Sequence, residues 1–126
     1  MADYIYKDLC EEIIGGAIEV HRHLGPGLLE NAYRVCLAYE LRQRKLSVQT
    51  EVALPLQYKG VNLELGYRLD LVVENNVCLE IKALKSILPI HRAQILSYLR
   101  LANLKVGLLL NFHNTMMRDG IKRYVL

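Results

Sequence analysis

Asp70, Glu80 and Lys82 are the residues of this chain whose types and spacing could do chemistry. They lie in Gly66-Tyr-Arg-Leu-Asp-Leu-Val-Val-Glu-Asn-Asn-Val-Cys-Leu-Glu-Ile-Lys82, two alternating apolar runs joined by Glu74-Asn75-Asn76. Two carboxylates beside a lysine suit a hard divalent cation, since magnesium takes one or two carboxylates and keeps several waters. The lysine could orient or deprotonate a water, or offset charge building on a phosphate. The plainer alternative is a solvated polar sheet face with a cross-strand ion pair, because short charge patterns recur by chance.

Chemistry at these residues requires that they meet, and a β-hairpin would bring them together. Period-two alternation around an Asn pair reads as two antiparallel strands. Residues two apart share a face, so Glu80 and Lys82 point the same way. Arg68, Asp70 and Val72 are expected on one face of the first strand; Tyr67, Leu69, Leu71 and Val73 on the other. A two-residue turn would set Asp70 opposite Ile81, on the wrong face. A loop of about three residues, with Val73 facing Val77, sets Asp70 beside Glu80 and aligns the apolar faces.

Gln94 and Tyr98 are four apart on an expected helix from about Ile90 to Asn103, so they share a face. That face is expected to reach the polar end of the sheet near Lys82; the bland alternative is a satisfied Gln beside an ordinary core Tyr. Arg92 and Arg100 would flank the same groove. Glu30, in the first turn of another helix, either answers the helix dipole or completes the acidic site. His21 and His23, one residue apart, would diverge on a helix and make a poor metal pair.

The elements that must position these residues are legible in order. Ile5, Leu9, Ile13, Ala17 and Val20 recur at helical spacing, with Gly15-Gly16 expected to allow close packing or a bend. Gly25-Pro26-Gly27 breaks the chain, and a second helix follows from about Leu28 to Lys45. Val48 to Tyr58 reads as a strand, Lys59-Gly60 as a turn, and the hairpin comes next. The Ile90–Asn103 helix is apolar on most sides and is expected to be largely buried. Val106 to Phe112 is a continuous apolar run, as in a strand covered on both faces. A last strand is expected near Lys122 to Leu126. The order ααβββαββ predicts an α/β sandwich with a mixed central sheet.

At 126 residues the chain is expected to form a single domain over residues 1–126. No apolar run approaches the ~18 residues of a membrane span. Asp3, Lys7 and Asp8 interrupt any secretory leader. Cys10, Cys36 and Cys78 lack paired spacing and are expected to be reduced and buried, pointing to a cytoplasmic protein. A net charge of +3 is compatible with nucleic acid without being diagnostic of it.

Gly27-Leu-Leu-Glu-Asn-Ala-Tyr33 spells G-x-x-E-x-x-Y as it stands. With Asp70, Glu80-Ile-Lys82 and Gln94-x3-Tyr98, the chain resembles the GxxExxY protein family of the PD-(D/E)XK nuclease-like superfamily. The resemblance covers nearly the whole chain and implies a restriction-endonuclease-like core. By position, it implies that Asp70, Glu80 and Glu30 bind metal, helped by the Ile81 carbonyl, and that Lys82 is catalytic. It also implies that Gln94 and Tyr98 match the Q-x-x-x-Y motif of RecB-like nucleases, which contacts the site or the nucleic-acid backbone. Leu69 stands where many members of the superfamily have Pro.

The leading expectation is a magnesium- or manganese-dependent phosphodiesterase acting on DNA or RNA. Lys85, His91, Arg92 and Arg100 would guide the backbone in a salt-sensitive, largely sequence-independent way. A homodimer would supply the second site that double-strand cutting needs. The rival expectation is a catalytically silent nucleic-acid-binding or protein-assembly module on the same fold.

Overall fold

The computed structural model describes residues 5–126. The first four residues, part of the stretch read above for a secretory leader, lie outside them. Helix α1 (Lys7–Leu24) buries Cys10, Ile13, Gly16, Ala17, Val20 and His21, the stripe that helical spacing places on one side. Helix α2 (Glu30–Gln43) buries Tyr33, Leu37, Ala38 and Leu41 against it. A Cβ on Gly16 would sit 2.7 Å from Leu41 Cδ2, so the glycine is what lets the two helices approach. The expectation of close packing holds at that residue. No helix among the described residues is long and apolar enough to cross a membrane.

Strands β1 (Val48–Ala53), β4 (Arg68–Val73), β5 (Val77–Lys82), β6 (Val106–Asn111) and β7 (Ile121–Val125) form one sheet in the order β1-β4-β5-β6-β7. Only β5 and β6 run parallel, joined by the crossover helix α3 (Pro89–Ala102). This is the mixed sheet expected, and the α/β restriction-endonuclease-like architecture follows. Val73 faces Val77 across a three-residue loop, with Glu74 and Asn75 in the left-handed region. The hairpin therefore has the register that the apolar pattern demands.

Three expectations about the elements need correction. The strand read from Val48 to Tyr58 splits, because Pro55 offers no N–H to a ladder. Leu56–Tyr58 becomes β2 and pairs with β3 (Val61–Leu63) around Lys59-Gly60, as a separate two-stranded sheet. Helix α3 is not largely buried: only Ile95, Tyr98 and Leu99 are, while Ile90 is 67% and Leu101 38% exposed. It lies over its sheet face without a second helix beside it, so only one stripe can meet the strands. Among the cysteines, Cys36 is only half-buried; all three are free thiols.

The core has two parts. Leu71, Val73, Leu79, Ile81, Leu108 and Leu110 pack under α1 and α2. Leu69, Val72 and Cys78 pack with Tyr98 and Leu99 of α3. Strand β6 is buried at every position, as its continuous apolar run predicts.

Candidate functional site

Strict alternation would put Tyr67 and Leu69 on the face of Leu71 and Val73, and this expectation fails. Leu69 packs with the α3 cluster, and the Tyr67 ring lies 6.1 Å from that of Tyr98. The phase breaks at Asp70. Opposite it in the β1–β4 register stands Glu51, at a left-handed φ of 48°. The ladder skips this pair while keeping register on both sides, Thr50 with Leu71 and Val52 with Leu69. Such a conformation costs a non-glycine residue energy and marks a place where regular sheet gives way.

Freed from ordinary pairing, the half-buried Asp70 carboxylate accepts the Ile81 backbone N–H at 2.8 Å. The β4–β5 ladder ends just before, at Leu71–Leu79, so this bond continues the hairpin through a side chain. Glu80 follows on β5 and is only 4% exposed. Its Oε1 has no hydrogen-bond partner, the one such buried side-chain atom among the described residues. Burial, reinforced by the Asp70 charge, pushes the Glu80 carboxyl up to about 8, although Lys82 and the Asp70 backbone N–H pull the other way. Asp70 is raised too, by burial first; the Ile81 N–H and Lys82 oppose this.

Lys82 Nζ lies 3.4 Å from Gln94 Oε1, and Gln94 Nε2 donates to the Tyr98 hydroxyl at 3.1 Å. The shared face of Gln94 and Tyr98 thus reaches Lys82, as their four-residue spacing predicts. Burial, and next the Glu80 charge, raises the Tyr98 phenol. On the other flank the Glu30 carboxylate accepts the Ala83 backbone N–H at 3.3 Å, just past the end of β5. Among the described residues no three His, Cys, Asp or Glu side chains come close enough to hold one ion together. Glu30 therefore clasps the strand end in this geometry, while Asp70 and Glu80 stand as a pair.

The rest of the G-x-x-E-x-x-Y motif explains how Glu30 gets there. Gly27 takes a φ of 106°, which an L side chain rarely adopts. Tyr33, fully buried, stacks on Phe112 at 4.4 Å with an interplanar angle of 12°. Its hydroxyl donates to Gly25 O at 2.6 Å and accepts from Leu28 N–H at 3.0 Å. One side chain thereby ties the Gly25-Pro26-Gly27 break to the core and fixes the start of α2. Tyr33 is core and clamp together.

Asn111 was not among the expected residues. Buried at the end of β6 beside Lys82, it donates to Leu84 O at 2.8 Å and accepts Leu84 N–H at 2.9 Å. It pins the segment that leaves the site. A polar residue closing an apolar run, which must be satisfied when buried, was the available signal. Arg34, one helical turn after Glu30, was also missed: its Nη2 lies 3.8 Å from Glu51 Oε1, and its charge acts on Asp70.

Other expected residues lie apart. Arg92 and Arg100 are exposed, two and six residues from Gln94, and the helical period turns both away from Lys82. Arg100 bonds Ser97 Oγ at 3.0 Å. His91 Nδ1 accepts Leu88 N–H at 2.9 Å, capping α3. Lys85 borders a separate depression shared with Asn114 and Asp119. His21 bonds Asn114 O at 2.8 Å, and His23 lies 3.0 Å from Glu19, so they diverge as expected.

The donor chemistry fits a cation. A buried carboxylate oxygen with no partner, beside a second carboxyl, is costly unless positive charge compensates it. Asp70 and Glu80, with the neighbouring Ile81 carbonyl, are the residues that would hold a divalent ion, and two carboxylates are enough for magnesium with its waters.

The sequence model of the PD-(D/E)XK nuclease superfamily matches residues 7–124. No curated protein and no solved structure compared with the chain gives a significant match. That match spans every helix among the described residues, all of the five-stranded sheet but its last residue, and the whole Asp70–Glu80–Lys82 constellation. The chain belongs to the PD-(D/E)XK nuclease superfamily.

Proposed function

We propose that this protein is a metal-dependent nuclease that hydrolyses phosphodiester bonds of DNA or RNA at Asp70, Glu80 and Lys82. The observation that carries the reading is the unpartnered, buried Glu80 Oε1 next to Asp70. Nucleases of this superfamily generally use divalent metals. Magnesium or manganese, when bound, would neutralise the phosphate and acidify a water.

The chain's own residues supply the rest. Asp70 is held in place by the Ile81 N–H, so its second oxygen is presented without cost in side-chain freedom. Lys82, steadied by Gln94 and through it by Tyr98, orients the nucleophile or stabilises charge on the phosphate oxygens. Glu30 fixes the backbone immediately after Lys82; released from Ala83 N–H, it would be the nearest candidate for a third acidic ligand. Arg92, Arg100 and Lys85 serve the backbone more remotely, through long-range attraction.

The deciding experiment is cleavage of labelled single- and double-stranded DNA and RNA with magnesium or manganese, with Lys82→Ala purified in parallel. Metal-dependent cutting that disappears in Lys82→Ala is the expected result. Equal cutting by both proteins would sink the mechanism. The rival, a catalytically silent nucleic-acid-binding or assembly module, predicts no cutting and no heat of magnesium binding at these carboxylates.

A further inference from the structure

Beside the site runs a mostly apolar groove of about 320 Å³, lined by Leu56, Tyr67, Ile90, Gln94, Ser97, Tyr98 and Leu101. Tyr67 is 43% exposed, Ile90 67% and Leu101 38%, so the groove is open and its walls are not consumed by the core. It exists because of two features already described. The break in alternation at Asp70 turns Tyr67 toward Tyr98, and α3 covers its face of the sheet alone.

We infer that this groove is a subsite for an unpaired nucleobase, so that the substrate is single-stranded nucleic acid or a single-stranded end. The inference rests on the nuclease reading. Continuity is the central observation: Gln94 lines the groove and lies 3.4 Å from Lys82 Nζ. A phosphate held at Lys82 therefore places its neighbouring nucleoside against Gln94, and beyond Gln94 the wall is Tyr67, Ile90 and Leu101. A duplex cannot use such a wall, because its bases are stacked on one another and it offers sugar, phosphate and base edges instead. An unpaired base offers a flat π-face, which stacks on an aromatic side chain and is sequence-tolerant. Gln94, already shared between Lys82 and Tyr98, and Ser97, which also lines the groove, give it polar contacts that can orient a base.

The test is fluorescence anisotropy with labelled single-stranded DNA and RNA and with a blunt duplex of equal length. Calcium replaces magnesium so that binding is read without turnover. We expect the single strand to bind at least about tenfold tighter than the duplex, and Tyr67→Ala to weaken single-strand binding about tenfold, as one base–aromatic contact is worth. Duplex binding should be unchanged in that variant, and Tyr67→Phe should keep the wild-type value. Ile90→Ala, on an exposed helix face, reads the same groove should Tyr67→Ala fail to fold.

Equal affinity for duplex, or single-strand binding unmoved by Tyr67→Ala and Ile90→Ala, would overturn the subsite. So would a self-association in sedimentation that Ile90→Asp abolishes, because a second copy would then own the groove. Cleavage of the same oligonucleotides with magnesium separates the two readings. Cutting without sensitivity to Tyr67 leaves the nuclease and removes the subsite. Binding through Tyr67 without cutting keeps the subsite and removes the nuclease.

Discussion

On the sheet face under α1 and α2, Leu71, Val73, Leu79, Ile81, Leu108 and Leu110 are all at most 1% exposed. On the face under α3, Glu80 is buried with an unpartnered oxygen while Tyr67, Ile90 and Leu101 reach solvent. Both faces belong to the same strands, and β5 alternates between them residue by residue. The difference lies in what covers them. Two helices seal one face, so its side chains are selected by packing alone. A lone helix leaves a strip near the end of β5 where polar groups gather and one of them, Glu80 Oε1, has no partner. Stability is concentrated on the first face and the chemistry we propose on the second, and substitutions should separate the two.

The largest expected effect is on the α3 face. On the proposed mechanism Asp70→Ala should lower turnover by about 10³-fold or more, since a cation held there would supply several kcal/mol of transition-state stabilisation. Circular dichroism should remain close to wild type, with a loss of about 1–3 kcal/mol in unfolding free energy because the Ile81 N–H loses its acceptor. A variant that keeps turnover within about tenfold of wild type would break the contrast between the faces.

Leu108→Ala probes the sealed face. Removing a fully buried leucine should cost roughly 2–5 kcal/mol in denaturant unfolding. Turnover per folded molecule should stay near wild type. A loss of activity without a loss of stability would show that the two faces are not separable.

The unpartnered carboxylate gives a pH dependence that sharpens the same comparison. Glu80 has an ordinary value of 4.5 and is pushed up to about 8 when folded. The folded state therefore binds more protons than the unfolded one across this window. The metal-free protein should lose stability as pH rises from about 4.5 to about 8, by up to a few kcal/mol. Glu80→Gln, which cannot ionise, should flatten this slope and melt higher than wild type at pH 8 without metal. Magnesium should raise the wild-type melting temperature and leave that of Glu80→Gln unmoved. A flat pH profile in wild type would mean that Glu80 is not held in the buried, unpartnered state described.

The smallest effect is expected at Tyr33. Tyr33→Phe keeps the stack on Phe112 but leaves Gly25 O and Leu28 N–H without their shared partner, which should cost about 1–2 kcal/mol. Because those bonds set where α2 begins, its effect on turnover should exceed that of Leu108→Ala, although its cost in stability is smaller. Urea unfolding and turnover measured on the same preparations decide the point.

Much of the site was legible because local rules left one solution. The alternation on either side of Glu74-Asn75-Asn76 admits a single register that stacks both apolar faces, and it sets Asp70 beside Glu80. The four-residue spacing of Gln94 and Tyr98 forces a shared face wherever the helix lies. Glu51 and Arg34 were not legible, since nothing local demands a left-handed residue inside a strand or pairs a helix arginine with it. Nor was the exposure of Ile90 and Leu101. An apolar helix reads as buried until the number of helices sharing its layer is known.

The sequence by itself determined the order of elements, the hairpin register and the identity of the two carboxylates and the lysine. These follow from periodicity, turn chemistry and side-chain type, which act within a few residues along the chain. Only the tertiary structure decided that Glu30 reaches Ala83, that Glu80 Oε1 is buried without a partner, and that Tyr67 turns to face Tyr98. Those outcomes depend on pairs of residues 31 and 53 apart in sequence and on how many helices cover each face. Burial and the electrostatics that follow from it are properties of the packed whole.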